Sequence, residues 1–226
     1  MEVNKINNYS NIISKLRQLS YKHNIANVFS DFISMVAYSI SNSVSYDQTI
    51  ENQYLNIINK YDKEEQQLFP DMLANLIMTL NADEFNDVLG TIYEELQLQN
   101  KSKGQFFTPV HICDLMSKIT VNKEEVEKVI DTKGYFAMQE PACGSGRLIY
   151  SLLKLMKENN INYQKNVYIE ATDVSPLCAY MTYIQLSLYG ANAKVICGNS
   201  LTNEVFEVFY TPMSKFLPII PKVCVE

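Results

Sequence analysis

The stretch of sequence that decides the fold is Gln139-Glu140-Pro141-Ala142-Cys143-Gly144-Ser145-Gly146-Arg147-Leu148. An apolar segment, Tyr135 to Gln139, comes before it and a helical pattern, Leu148 to Lys157, comes after it, which predicts a turn from a strand into a helix. Small residues let a ligand approach the backbone, and the start of the helix is expected to present free N–H groups. The turn is a candidate binding site, although an ordinary tight turn could have the same composition.

Short apolar segments continue to alternate with helical ones beyond the turn. Asn166 to Thr172 and Ala193 to Cys197 have the composition of buried strands, and Leu177 to Leu188 has that of a helix. Strand, helix, strand, helix, strand is the order of a right-handed parallel α/β unit. Ile149 stands where the dinucleotide fingerprint has its third glycine, which disfavours a nicotinamide cofactor.

The N-terminal part of the sequence has a different pattern. Apolar residues recur at spacings of three and four within Ile25 to Ile40, Leu68 to Leu80 and Phe85 to Leu96, and each set marks one face of a helix. We therefore predict an all-helical module over residues 1–100. The α/β domain is predicted over residues 101–226.

Composition excludes several classes of function. The 226 residues include 19 Lys plus Arg and 25 Asp plus Glu, a net charge of -6, so any DNA would have to be held by a local patch or a partner. Five cysteines without a C-x-x-C pair and two histidines predict neither disulfides nor a metal site. No apolar run approaches the ~18 residues that cross a bilayer, so we expect no membrane segment and a cytoplasmic location.

A second candidate site residue ends the second predicted strand. Asp173 is placed to accept hydrogen bonds from both hydroxyls of a ribose bound at the glycine-rich turn. The same residue, followed by Ser175 and Pro176, could equally be the N-cap of the next helix. The residues alone leave both interpretations open.

A third segment, Gly104-Gln105-Phe106-Phe107-Thr108-Pro109, lies upstream of the turn. Thr108 as N-cap and Pro109 as first helical residue predict a helix, which could be a capped helix and nothing more. We expect Phe106 and Phe107 to pack on a ligand or on the N-terminal module, because exposed aromatic rings would be poorly used. The helix is expected to direct its apolar residues inward, namely Ile112, Leu115, Met116 and Ile119.

Together, Gly104 to Pro109 and Glu140 to Gly146 resemble two segments of the adenine-N6 DNA methyltransferases. The resemblance is closest to the modification subunits of type I restriction systems and their mobile-element relatives, in which Gly-x-Phe-aromatic-Thr-Pro precedes acid-Pro-Ala-Cys-Gly-Ser-Gly. It covers roughly Leu96 to Leu201. The N-terminal part resembles that of the family only in being helical. The resemblance implies a Rossmann-like class I methyltransferase sheet, S-adenosylmethionine as cofactor, and DNA methylation in restriction-modification as the process.

The resemblance also implies roles for individual residues. Phe106, Phe107, Thr108 and Pro109 would line the methionine end of the cofactor. Glu140 and the backbone of the turn would cradle the amino-acid moiety, and Asp173 would hold the ribose. Asn199 replaces an acid that usually meets the adenine amino group, and its carbonyl oxygen can still accept from that amine. The turn residues in this set are Pro141, Ala142, Cys143, Gly144, Ser145 and Gly146.

The base-binding motif of the family has no counterpart in this sequence. That motif is Asn or Asp followed by Pro-Pro and an aromatic residue, and no Pro-Pro pair occurs among the 226 residues. We therefore assign no catalytic residue. The 29 residues that follow Cys197 allow about one further strand, so we expect a truncated sheet, incomplete at its C-terminal end. Its open edge would be covered by the N-terminal helices, a second copy or another protein.

These observations lead to three functional hypotheses. The first is an adenine-N6 DNA methyltransferase component whose base-binding and DNA-reading parts come from a partner chain. The second is a catalytically inactive, S-adenosylmethionine-binding regulatory or interaction protein derived from such an enzyme. The third is a nucleotide-binding α/β protein unrelated to methylation, which would show no selectivity for a sulfonium ligand.

Overall fold

The chain divides into two compact units, Met1–Phe107 and Thr108–Glu226. The computed structural model describes residues 9–98 and 107–217. The first unit is helical and the second is α/β, and the predicted boundary at residue 100 lies outside the described residues. Over the described ranges, no helix combines the length and the apolar character needed to span a bilayer.

The described part of the first unit consists of helices. They are α1 (Tyr9–Leu19), α2 (Ile25–Val44), α3 (Gln48–Ile58), α4 (Lys63–Gln66), α5 (Leu68–Ala82) and α6 (Val88–Glu95). The three apolar stripes predicted from the sequence lie on α2, α5 and α6. Asn24 caps α2 by accepting hydrogen bonds from the N–H groups of Ala26 and Asn27, which explains where that helix begins.

The first unit has its own hydrophobic core. Phe29 and Phe32 of α2 and Met72 and Leu76 of α5 are fully buried. The ring of Tyr93 on α6 stacks on Phe29 with 5.8 Å between the ring centroids. Burial of each such side chain contributes about 1.5–3 kcal/mol, so these apolar faces account for the packing of the helices.

The second unit alternates helices with strands. Its elements are α7 (Val110–Thr120), α8 (Lys123–Lys133), β1 (Phe136–Glu140), α9 (Arg147–Glu158), α10 (Tyr163–Asn166), β2 (Val167–Asp173), α11 (Pro176–Leu188), β3 (Asn192–Asn199) and β4 (Glu204–Tyr210). A 3₁₀ turn, Pro212–Lys215, follows β4. The three strands and two helices predicted around the glycine-rich turn are confirmed, with small differences at their ends.

The four strands form one sheet in the order β1-β2-β3-β4. β1 pairs with β2 and β2 with β3 in parallel, as the alternating pattern predicted. β4 instead pairs antiparallel with β3, with a register shift between Cys197 and Gly198. Among the described residues, β1 therefore has only β2 as a neighbouring strand and forms one edge of the sheet, while β4 forms the other.

The two faces of the sheet differ. Helix α11 covers one face, where the ring of Phe209 on β4 lies 5.3 Å from Tyr180 and 5.0 Å from Tyr183 between centroids. The opposite face carries polar side chains: Lys194 pairs with Glu170 at 2.9 Å, and the amide of Gln139 donates to the same carboxylate at 3.3 Å. One face thus contributes to the core of the unit and the other has a polar ladder across three strands.

Helix α7 corrects two predictions. It begins at Val110 with Pro109 as N-cap and without a side-chain cap, so Thr108 does not cap it. The four apolar residues predicted to face inward are exposed, Ile119 to 73% and Leu115 to 53%, whereas Cys113 is buried. Periodicity identifies a face of a helix but not what lies against it, so the predicted orientation was wrong.

The polar side of α7 packs against α9 instead. Asp114 forms an ion pair with Lys154 of α9 at 3.5 Å, and Ser117 is buried. Helix α7 therefore lies beside the helix that begins at the glycine-rich turn, with its apolar stripe turned away from it.

Candidate functional site

Three predicted site residues end three neighbouring parallel strands. Glu140 is the last residue of β1, Asp173 of β2 and Asn199 of β3. Because these strands are parallel, their C-terminal ends meet at one edge of the sheet, which is where ligands bind in open α/β sheets. The turn from β1 into α9 lies at the same edge.

The turn requires glycine at two positions. Gly144 and Gly146 have φ angles of 56° and 99°, a region that residues with a Cβ rarely adopt. A Cβ on Gly146 would also lie 2.3 Å from the hydroxyl oxygen of Tyr150. The sequence pattern Gly-Ser-Gly is therefore explained by backbone conformation and close contact.

Most of the backbone N–H groups within the turn, before α9 begins at Arg147, already donate within the protein. The bonds are Ala142 N–H to Glu140 Oε1 (3.1 Å), Cys143 N–H to Thr172 O (2.9 Å), Gly144 N–H to Asp173 Oδ2 (2.8 Å) and Gly146 N–H to Cys143 O (2.8 Å). A phosphate bound at such a turn is recognised by N–H donors, and these four are occupied. The carboxylates of Glu140 and Asp173 lie beside these donors and can accept hydrogen bonds from a ligand.

Asp173 links two turns of the site. Its Oδ2 accepts a hydrogen bond from Gly144 N–H and its Oδ1 accepts one from Ser175 N–H, both at 2.8 Å. Burial raises the pKa of this carboxyl above its usual value, and the two backbone hydrogen bonds partly oppose that shift. Each carboxylate oxygen has a second lone pair, so the predicted contact with ribose hydroxyls is compatible with both bonds.

The other two strand-end residues also take part in local turns. Glu140 is half-buried, and one of its oxygens accepts from Ala142 N–H, as described above. The side-chain oxygen of Asn199 accepts from Leu201 N–H at 3.0 Å, where the chain turns towards β4. The predicted contact of Asn199 with an adenine amine would therefore use the second lone pair of that oxygen.

Cys143 is a buried residue of the turn. Burial, and to a smaller extent the charge of Asp173, raise the pKa of its thiol well above the usual value. This shift favours the neutral thiol over the thiolate. The described residues contain no cluster of three or more His, Cys, Asp or Glu side chains that could hold a metal ion.

Sequence reasoning missed three buried polar residues behind the turn. The hydroxyl of Thr182 donates to Gly144 O at 2.9 Å, and the hydroxyl of Tyr150 donates to Ser145 O at 2.6 Å. The amide of Gln185 donates to Ser145 O at 3.3 Å and to the Tyr150 hydroxyl oxygen at 3.1 Å. A signal was present in the sequence, since Thr182 and Gln185 interrupt an otherwise apolar stretch of α11.

The aromatic-Thr-Pro segment is only partly described. Phe106 lies outside the described residues. Phe107 belongs to the first unit, where its ring centroid lies 5.7 Å from that of Tyr93, in line with packing on the N-terminal module. Thr108 and Pro109 are exposed and lead into α7. Their predicted contact with the methionine end of a cofactor stays a prediction.

A parallel unit with a glycine-rich turn after its first strand and an acid at the end of its second has the arrangement of Rossmann-like, cofactor-binding α/β domains. Residues 84–218, more than half of the chain, match the family model described as N-6 DNA Methylase. The chain belongs to the N-6 DNA methylase family. The recognition predicted from the two sequence segments is thereby confirmed, together with the α/β fold class and S-adenosylmethionine as the cofactor of the family.

Curated relatives include subunits of restriction enzymes. The chain is 29% identical over 152 residues to the type I restriction enzyme MpnII methylase subunit of Mycoplasma pneumoniae, covering 63% of this chain and 26% of that subunit. It is 25% identical over 205 residues to the type I restriction enzyme MjaVIII methylase subunit of Methanocaldococcus jannaschii, covering 85% of this chain and 32% of that subunit. The chain thus spans about a quarter to a third of the length of these relatives.

Among solved structures, the chain is similar to a crystal structure from Listeria monocytogenes assigned to the class I S-adenosylmethionine-dependent methyltransferases. The identity is 20%, the TM-score is 0.35, and the match covers 76% of this chain and 52% of that one. At this TM-score the structural similarity adds nothing to the family match.

Proposed function

We propose that the second unit binds S-adenosylmethionine and serves as the cofactor-binding part of an adenine-N6 DNA methyltransferase. The observation that carries this proposal is the alignment of Glu140, Asp173 and Asn199 at the ends of three adjacent parallel strands, beside a glycine-rich turn. Membership of the N-6 DNA methylase family supports the identity of the ligand.

The chemistry of the residues fits this cofactor. S-adenosylmethionine has an ammonium and a sulfonium, both positively charged, and ribose hydroxyls that donate hydrogen bonds. The carboxylates of Glu140 and Asp173 are acceptors for such groups. ATP would instead present phosphates to a turn that has two carboxylates beside it and four occupied N–H groups. The same observation disfavours the third hypothesis, a nucleotide-binding protein unrelated to methylation.

Each residue has a separate task in the proposed complex. Glu140 accepts from the ammonium of the amino-acid moiety, Asp173 accepts from the ribose hydroxyls, and Asn199 accepts from the adenine amine. The cofactor supplies an activated methyl group, and the protein has mainly to hold it in a defined orientation. The glycine-rich turn provides that orientation through its fixed backbone.

A partner chain is part of the proposal. The sequence contains no Pro-Pro pair, and the relatives described above are named as methylase subunits. Among the described residues the free side of β1 has no strand beside it. We propose that another chain or a second copy covers this edge and supplies the groups that bind the target base and read the DNA.

Calorimetry with the full chain tests the cofactor. S-adenosylmethionine and S-adenosylhomocysteine are expected to bind, and ATP is expected to bind more weakly than either. Binding of ATP in preference to both adenosyl ligands would overturn the proposal. The Glu170→Gln variant serves as a matched control. Glu170 lies on β2 like Asp173, but its carboxylate pairs with Lys194 on the polar face of the sheet.

A tritiated-methyl assay on DNA tests the activity. The purified chain alone is expected to transfer no label, because no base-binding motif is present, and transfer is expected in the presence of extract from the host cell. Label from the purified chain alone would contradict the need for a partner. Cofactor binding without transfer in either reaction would favour the second hypothesis, an inactive regulatory or interaction protein.

A further inference from the structure

We infer that Tyr150, Thr182 and Gln185 are positioning residues that set the cofactor affinity of the glycine-rich turn by fixing two of its peptide planes. This inference rests on the proposed function, since it concerns the same turn. The three side chains are buried, lie on α9 and α11 behind the turn, and hold the carbonyl oxygens of Gly144 and Ser145.

The planarity of the peptide bond connects the back of the turn to its front. The C=O of one residue and the N–H of the next lie in one plane and point in opposite directions. When Thr182 holds the carbonyl oxygen of Gly144 at 2.9 Å, the N–H of Ser145 is therefore turned away from α11. The orientation of this peptide is fixed from behind the turn.

The next peptide is held in the same way. Tyr150 and Gln185 both donate to the carbonyl oxygen of Ser145, at 2.6 and 3.3 Å. The N–H of Gly146 consequently points to the opposite side, where it donates to Cys143 O at 2.8 Å. Two successive peptide planes are thus determined by side chains that lie 5 to 40 residues away in the sequence.

These hydrogen bonds differ from the usual behaviour of polar side chains on helices. Ser187 on α11 donates to Tyr183 O, four residues earlier in its own helix, at 2.7 Å. Thr182 on the same helix donates to the turn instead. Ser and Thr hydroxyls commonly bond to the carbonyl four residues earlier, so Ser187 shows the ordinary pattern and provides a matched control.

The network matters because the side chains that form it are buried. A buried carbonyl that loses its donor retains a desolvation cost, and the peptide can reduce this cost by rotating towards water. Rotation of the peptides at Gly144 or Ser145 is sterically permitted by the adjacent glycines. The bonds from Thr182 and Tyr150 therefore prevent a movement that the glycine-rich sequence otherwise allows.

The test uses isosteric variants of the full chain. Thr182→Val and Tyr150→Phe each remove one hydroxyl while keeping the shape of the side chain, and Ser187→Ala removes the control hydroxyl. In calorimetry at a temperature where every variant is folded, Thr182→Val and Tyr150→Phe are expected to weaken binding of S-adenosylhomocysteine about tenfold. Ser187→Ala is expected to change it less than about twofold. Thr182→Ser is expected to restore the affinity.

A second measurement does not involve the cofactor. Hydrogen exchange of the Ser145 and Gly146 amides, which belong to the two fixed peptides, is expected to be faster in the ligand-free Thr182→Val and Tyr150→Phe variants than in Ser187→Ala. Unchanged exchange together with unchanged affinity in both variants would overturn the inference, even if their thermal midpoints fell. Absence of cofactor binding by the unmodified chain would instead refute the proposed function, and the exchange measurement would still report on the peptide planes.

Discussion

The glycine-rich turn and helix α7 lie in the same unit but differ in how fully contacts within the chain satisfy them. In the turn, four N–H groups and the carbonyl groups of Cys143, Gly144 and Ser145 have partners within the protein, and Tyr150 lies against Gly146 so closely that a Cβ would not fit. In α7, Ile119 is 73% exposed while the smaller Cys113 is buried. The chain completes the turn by itself, whereas the apolar side of α7 has no cover that the described residues provide.

Strand β4 resembles α7 in this respect. Phe206 is 52% exposed and Val205 is 56% exposed, although β4 pairs with β3 on both sides of the register shift, which leaves Phe206 without a partner on β3. Exposed apolar side chains of this kind are candidates for contact with another surface. The unit therefore combines an internally hydrogen-bonded glycine-rich turn with exposed apolar side chains on α7 and β4.

Among the changes at the turn, the largest effect is expected from Gly146→Ala. The new Cβ would lie 2.3 Å from the Tyr150 hydroxyl oxygen at a φ of 99°, so steric overlap adds to backbone strain. We expect the free energy of unfolding in urea to fall by about 2–4 kcal/mol. Gly134→Ala is the control, because Gly134 has a φ of 84° but a Cβ there would have no atom within 4 Å. Equal losses in both variants would show that the contact with Tyr150 is unimportant.

The next effect is expected from Asp173→Ala. This change removes a charged acceptor that is proposed to hold the ribose and that links the turns at Gly144 and Ser175. Binding of S-adenosylmethionine should weaken by about 1–3 kcal/mol in calorimetry. Unchanged affinity would show that Asp173 holds the two turns together and does not contact the ligand.

The sequence predicted the elements around the turn because the required patterns are local. Periodicity identified β1, α9, β2, α11 and β3, and the order of these elements placed their C-terminal ends at one edge. Local patterns could not predict that Asp173 would bond to the turn, because its partner Gly144 is 29 residues away. They also could not identify the surface against which α7 packs.

The position of β4 illustrates the same limit. The length after Cys197 predicted about one further strand, but not which edge it would join. Its antiparallel pairing depends on a close backbone approach at Gly198, where a Cβ would lie 2.4 Å from Glu204 O. Tertiary contacts of this kind decide topology without leaving a periodic pattern.

A smaller effect is expected from pH. Burial raises the pKa of Asp173, so the folded protein favours the protonated form, and the penalty for ionisation appears as pH rises from the unfolded pKa through the raised folded pKa. A ligand with hydroxyl donors and positive charge binds the ionised form better. Affinity for S-adenosylmethionine should therefore rise as pH approaches the raised pKa of Asp173 in the ligand-free protein and level off above it, by at most about tenfold per pH unit. Calorimetry at a series of pH values measures the slope.

The control for this pH dependence is Asp173→Asn, which removes the titrating group but retains a side-chain oxygen. Its affinity is expected to vary less with pH than that of the unmodified chain. The same slope in both proteins would assign the titration to a group other than Asp173.

The smallest effect on stability is expected at the exposed apolar surfaces. Ile119→Lys on α7 and Phe206→Lys on β4 should each change the free energy of unfolding by no more than about 0.5 kcal/mol, because both side chains are mostly in water. Phe209→Ala, which truncates the buried neighbour on β4, should cost about 3–5 kcal/mol. A loss at Ile119 as large as that at Phe209 would mean that the apolar side of α7 is already covered in the isolated chain.

If a second copy covers these surfaces, sedimentation should detect weaker self-association of the lysine variants while their folding stays intact, which separates association from stability.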